Sequence, residues 1–206
     1  MNFLDQSSSS IRDNKSKECL YLISSNPIID NGITQKVLGL ITRDLGEELN
    51  RENISCEDIL IILKTLSNLT CSPCAINFLS DHPQLIDFLM TLKSFENQEI
   101  NLILEGIDNN LIGNKSLLEI LITNNPTYLK NIIAESVHKR NVPLLINLFD
   151  NSVRKLLDAS IVNQTNLHFI SEKFCDIEMI NKQIKEVLDC EMIDNMSDED
   201  DDVRMN

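Results

Sequence analysis

Ser55-Cys-Glu-Asp-Ile-Leu-Ile-Ile-Leu-Lys-Thr-Leu-Ser-Asn-Leu-Thr70 is the stretch on which the fold turns. Ile59, Leu60, Ile62, Leu63, Leu66 and Leu69 recur at helical spacing over more than one face, so the spacing predicts a helix buried on most sides. Ser55, with Asp58 three residues on, reads as its capping box, the Ser oxygen taking an orphan N–H of the first turn. The second half of this helix has echoes. Leu63-Lys-Thr-Leu-Ser-Asn68 aligns with Leu104-Glu-Gly-Ile-Asp-Asn109, 41 residues later, and a further 41 puts Leu145 and Leu148 at the two apolar positions. Pro83-Gln-Leu-Ile aligns with Pro126-Thr-Tyr-Leu at an offset of 43.

Working outward, Ile33, Val37, Leu38, Ile41 and Leu45 form one helical face before this stretch. After it, helices are predicted from Pro83, around Ile100 to Ile107, around Leu117 to Ile122, from Pro126, from Pro143, around Val153 to Leu157, and over residues 176–192. Three of these starts carry a proline where no intrahelical N–H partner exists. Repeats of about 40–47 residues built from two or three short helices mark armadillo and HEAT arrays, in which one unit cannot bury its apolar stripe and stacks on the next. The expected fold is all-α, an armadillo/HEAT-like right-handed superhelical stack of about four helical repeats over residues 17–192. A flexible polar N-terminus, 1–16, precedes it, and a disordered acidic C-terminal tail, 193–206, follows. A non-repetitive helical bundle with coincident spacings is the alternative.

Composition agrees with a helical core. Leu supplies 29 residues and Ile 27, against 7 Val, 4% aromatics and no Trp, whereas strands draw on β-branched and aromatic residues. The net charge is −14, from 32 acidic and 18 basic residues. No basic run exists to displace counterions from nucleic acid or to seek an anionic membrane. The acidity is concentrated at one end: residues 172–206 hold 12 acids and 4 bases. Neither a secretory leader nor 18 consecutive apolar residues occur, so the expected address is cytoplasmic, with the nucleus as a second one, and reduced thiols.

Signs of chemistry are sparse. Cys71-Ser-Pro-Cys74 has a ligand-like spacing, but no second pair completes a zinc set, and a redox motif would sit in a βαβ unit. Pro73 between the two reads as an inter-helix turn. His82, His138 and His168 fall in different helical segments, and five Gly leave little room for a phosphate-cradling loop. Glu47/Glu48 and Asp200/Asp201 are paired carboxylates in charged, solvated surroundings, with nothing beside them to make an acid–base couple. The expectation is a non-enzymatic protein without cofactor or metal.

Leu66-Ser-Asn-Leu-Thr70, closing an apolar helix, looks like the third helix of an armadillo repeat. Nuclear-import adaptors of that superfamily carry a Trp four residues before such an Asn; here Lys64 and Glu105 stand there. Ile62-Leu-Lys-Thr-Leu-Ser-Asn-Leu-Thr70, then Asn77-Phe-Leu-Ser-Asp81 and Phe88-Leu-Met90, resemble the N-terminal armadillo repeats of the Hgh family. Asn147-Leu-Phe-Asp150, Arg154-Lys-Leu-Leu157 and Asn166-Leu167 are similar to a later stretch of the same family. The resemblance implies a cytosolic chaperone adaptor for translation elongation factor two.

The expected function is therefore a protein–protein interaction scaffold, a folding adaptor or co-chaperone whose partner is a client protein or chaperone, and which is a monomer outside its complex. An Hsp70 nucleotide-exchange cofactor, or an assembly subunit of a ribosome- or proteasome-like particle, are the alternatives. The repeat register places Asn68, Asn109 and Asp150 on the inner, partner-binding face, with helix capping as the competing role for the two asparagines. The last 13 residues hold six acids and one Arg, and read as a solubilising tail or a docking element for a basic surface. Ser197, ahead of Asp198, Glu199 and Asp200, is a candidate site for an acidophilic kinase, which would add about −2 charge.

Overall fold

In a computed structural model the chain is described at residues 18, 21, 22, 24, 25, 31–50, 55–71, 82–150 and 152–201. Ten helices and no strand occur among the described residues. They are α1 (Asn31–Leu49), α2 (Cys56–Thr70), α3 (Gln84–Leu92), α4 (Gln98–Gly113) and α5 (Lys115–Asn124). Then come α6 (Pro126–Lys139), α7 (Val142–Phe149), α8 (Val153–Asp158), α9 (Gln164–Lys173) and α10 (Glu178–Asp201). The chain divides into two compact units, 1–117 and 118–206, the division falling in the first turn of α5. No helix among the described residues is long and apolar enough to cross a membrane.

Local signals set the helix starts. Ser55 caps α2, its hydroxyl accepting from the Asp58 N–H at 3.3 Å. Asn97 caps α4 by accepting from the N–H groups of Glu99 and Ile100, and Asn141 caps α7 by accepting from Leu144. Pro126 is the first residue of α6 and Pro143 the second of α7, both within the first turn, where no intrahelical N–H partner exists. Pro83 stands one residue earlier, at the cap of α3.

The first unit is organised on α2. Its Ile59, Ile62, Leu63, Leu66 and Leu69 are buried, and α2 packs principally on α4 and then on α1. Three contacts define how α2 meets α4. The Lys64 ammonium donates to the Glu99 carboxylate at 2.9 Å, Ser67 Oγ lies 3.8 Å from where a Cβ on Gly106 would stand, and Asn110 Nδ2 donates to the Ser67 carbonyl and the Thr70 hydroxyl, both at 3.0 Å. Residue numbers rise together along these contacts, so α2 and α4 run parallel. A small residue at 106 lets them approach closely. Beside them, α1 meets α3. At Gly46 a Cβ would come within 2.9 Å of Phe88 Cζ, so glycine there makes room for the ring.

The second unit is organised on the first part of α10, which packs on α7, α8 and α9, while α6 packs on α7. Ile180 and Ile184 are fully buried, as are Phe149 and Phe174. Asn181 ties α10 to the end of α9: its amide donates to the Phe174 carbonyl at 2.8 Å, and its oxygen accepts from the Ser171 hydroxyl at 2.5 Å. Among the described residues, two non-glycine residues adopt the left-handed conformation, Arg140 and Ser160, each with φ of 55°. Ser160 ends α8 in a Schellman turn, its N–H reaching the Leu157 carbonyl and the Ile161 N–H reaching Leu156.

The backbone of α10 stays helical to Asp201, well into the stretch whose composition reads as a disordered tail. Extending an anchored helix costs far less than nucleating one, so acidic residues that would not start a helix can still prolong it. The expected lead-in at 1–16, Cys74, and residues 202–206 lie outside the described residues, as do the side chains of 190–201.

Candidate functional site

Both asparagines singled out by the repeat register make hydrogen bonds within the chain, Asn68 to a distant segment and Asn109 to its own helix. Asn68 is half-buried, and its amide donates to the hydroxyls of Ser24 at 3.2 Å and Ser25 at 3.1 Å. Asn109 bonds within its own helix, to the Glu105 carbonyl at 2.8 Å. Asp150 is exposed in the second unit, at the C-cap of α7, its N–H on the Ile146 carbonyl. Ser197 falls on α10 with its side chain outside the described part. The asparagine that joins α4 to α2 is Asn110, one position beyond Asn109. A helix turns about 100° per residue, which carries position 110 onto the α2 face.

The feature with the makings of a binding site lies in the second unit. There α6, α9 and the turn at 159–163 wall an open groove of about 550 Å³. Ile133 and Val137 on α6, Ile161 and Val162 on the turn, and Ile170 on α9 form an apolar floor. Their placement follows from helix geometry, since 133 and 137 are one turn apart and present one face. The Schellman turn folds Ile161 and Val162 inward, and the left-handed Ser160 that makes it possible is itself on the wall. Asn163 starts α9 by accepting from the Asn166 N–H at 2.8 Å, and both side chains face the groove.

The rim is polar in one sense of charge. Lys130, His138 and Lys173 line it, and no Asp or Glu does. Phe169 stands 56% exposed beside them, with the Lys173 ammonium 5.9 Å from its ring centroid. An apolar floor with donors at its edge can take an inserted apolar side chain and orient the polar groups flanking it. None of these residues was marked by sequence reasoning as functional. Phe169 offered the nearest signal, an aromatic ring between the inward-facing Leu167 and Ile170.

Away from the groove, Cys56, Cys71 and Cys175 are free thiols at the surface. No group of three or more His, Cys, Asp or Glu could hold a metal ion among the described residues. A second buried polar feature is an ion pair in the first unit: Lys93 Nζ lies 2.5 Å from Asp108 Oδ2, their side chains 16% and 3% exposed. It ties the end of α3 to the middle of α4, a structural task. No family model, curated protein or solved structure matches the chain.

Proposed function

We propose that this chain is a non-enzymatic protein-binding scaffold, in its most concrete form a folding adaptor that holds a client, such as translation elongation factor two, for a chaperone. The observation that carries the reading is the groove between α6 and α9, whose apolar floor is built from both helices and the turn at 159–163, with Phe169 exposed on α9. An accessible apolar surface held on rigid elements is the usual ground for a protein contact.

An armadillo/HEAT-like stack of about four repeats is part of this proposal. Its support is that α2 and α4, whose sequences align at an offset of 41, run parallel and contact each other along their lengths. Equivalent helices of successive repeats meet in that way. Action in the cytoplasm or nucleus is part of the same proposal.

The test is affinity isolation of the full chain at native abundance, followed by reconstitution of any captured complex from purified components. The expected result is a protein that rebinds the purified chain directly; elongation factor two captured together with a chaperonin would establish the adaptor form. Failure of every captured protein to rebind contradicts the proposal.

A further inference from the structure

The charges around the groove say what sort of protein segment it fits. Across the described residues most cations are matched with an acid: Lys64 with Glu99, Lys93 with Asp108, Lys139 with Glu135, Arg140 with Asp176, Arg154 with Asp158, Lys155 with Glu119 and Lys182 with Glu186. Acids outnumber bases by 32 to 18, so pairing is easily found. Lys115, Lys130, Lys173 and Lys185 are the described lysines without such a pair, and two of the four, Lys130 and Lys173, line the groove. Among the described residues Lys130, His138 and Lys173 have no acidic partner, and the Lys173 ammonium stands over the Phe169 ring. Two unmatched lysines and an imidazole thus ring an apolar floor from which carboxylates are missing.

We propose that this groove docks an acidic, apolar-anchored protein segment, with Lys130 and Lys173 selecting for carboxylates and Phe169, Ile133 and Val137 receiving the apolar side chains. The inference rests on the protein-binding reading and names its ligand chemistry. An amphipathic helix laid in a groove presents anchors at i and i+3 or i+4. Carboxylates flanking such anchors would meet the ammonium groups at the two ends. The remaining negative charge of the chain does not prevent this. At physiological salt its field is screened beyond about 8 Å, so the lysines on the rim dominate locally. A nucleic acid is the weaker fit, because the floor is aliphatic and a long polyanion would lie across the acidic surroundings.

The experiment is panning of a random 16-residue peptide library on the full chain, then fluorescence anisotropy of the enriched peptides. The expected result is enrichment of peptides with two or more Asp or Glu around an apolar pair spaced three or four residues apart. Their affinity should fall at least tenfold on the K130E/K173E variant, whose helicity by circular dichroism should match the parent because neither residue belongs to the core. Affinity should also weaken severalfold between 0.1 and 0.5 M salt. Enrichment of basic or neutral peptides, or acidic peptides that bind K130E/K173E undiminished, would overturn the inference and leave the protein-binding reading intact. Displacement of the peptides by a 20-nucleotide single-stranded RNA would assign the lysines to polyanions at large and also overturn it. Self-association that K130E/K173E abolishes would give the groove to the acidic stretch of a second copy, against a separate partner. No enrichment at all would end the inference, while the protein-binding reading would still be decided by the reconstitution described above.

Discussion

Replacing Lys93 by Met keeps the aliphatic stem and removes only the ammonium that sits 2.5 Å from the Asp108 carboxylate. Asp108 is 2% exposed, in the middle of α4, so its charge depends on protein partners rather than on water. Removing one member of a buried pair costs about 3–5 kcal/mol, against a total stability of about 5–15 kcal/mol for a typical protein. The Lys93 side chain retains 16% exposure, through which water can reach the site, and that places the expected loss near the lower end, about 3 kcal/mol. In urea, with a slope of about 2 kcal/mol/M, the midpoint should drop by about 1.5 M. The thermal midpoint should drop by about 6–12 °C. Replacing both partners, K93M with D108L, should bring stability back to within about 1 kcal/mol of the parent, because an apolar pair of similar volume needs no charge compensation. Equilibrium denaturation followed by circular dichroism at 222 nm measures all three variants and gives the coupling energy directly. A loss below about 1 kcal/mol for K93M, or a double variant as unstable as the single one, would refute the reasoning.

Two glycines of α1 should respond oppositely to alanine: G39A should stabilise by about 1 kcal/mol, since Gly39 has open space around it, while G46A should lose that gain by pushing against the Phe88 ring, with urea midpoints as the readout. S160G should stabilise by about 1 kcal/mol by relieving the left-handed strain at φ 55°, raising the thermal midpoint by about 2–4 °C. N110A should cost about 1–2 kcal/mol through loss of both bonds to α2, whereas N109A should cost less than about 0.5 kcal/mol, its one bond being to its own helix; the same denaturation curves distinguish them.

The parts legible in the sequence are those governed by neighbours a few residues away. Ser55, Pro126 and Pro143 announce helix starts through backbone chemistry that operates within one turn, and the structure has helices at each. The apolar stripes of α2, α4, α6 and α7 are buried as their spacing requires. The helix that escaped notice was α9. Only Leu167 and Ile170 of its ten residues are buried, too few to show a periodicity. Without α9 the groove could not be seen, because its walls come from segments about 35 residues apart and its floor is completed by a turn. That Asn110 bonds to α2 was equally hidden, since it depends on where α2 lies around α4. The acidic stretch shows the converse: composition weighs each residue's preference alone, and the backbone of α10 continues from a part already held by Ile180 and Ile184.

The central claim, that the groove of the second unit is where a partner protein docks, is tested most directly by comparing two exposed apolar side chains. Phe169, on the groove, is 56% exposed, and Leu102, on α4 of the first unit, is 68% exposed. Neither should be needed for folding, which unchanged circular dichroism would establish for F169D and L102D. Titration calorimetry of the partner recovered by affinity isolation then gives the dissociation constants of both variants and the parent. The account expects F169D to weaken binding at least tenfold, about 1.4 kcal/mol, and L102D to leave it within about twofold. Equal binding by F169D and the parent would contradict it.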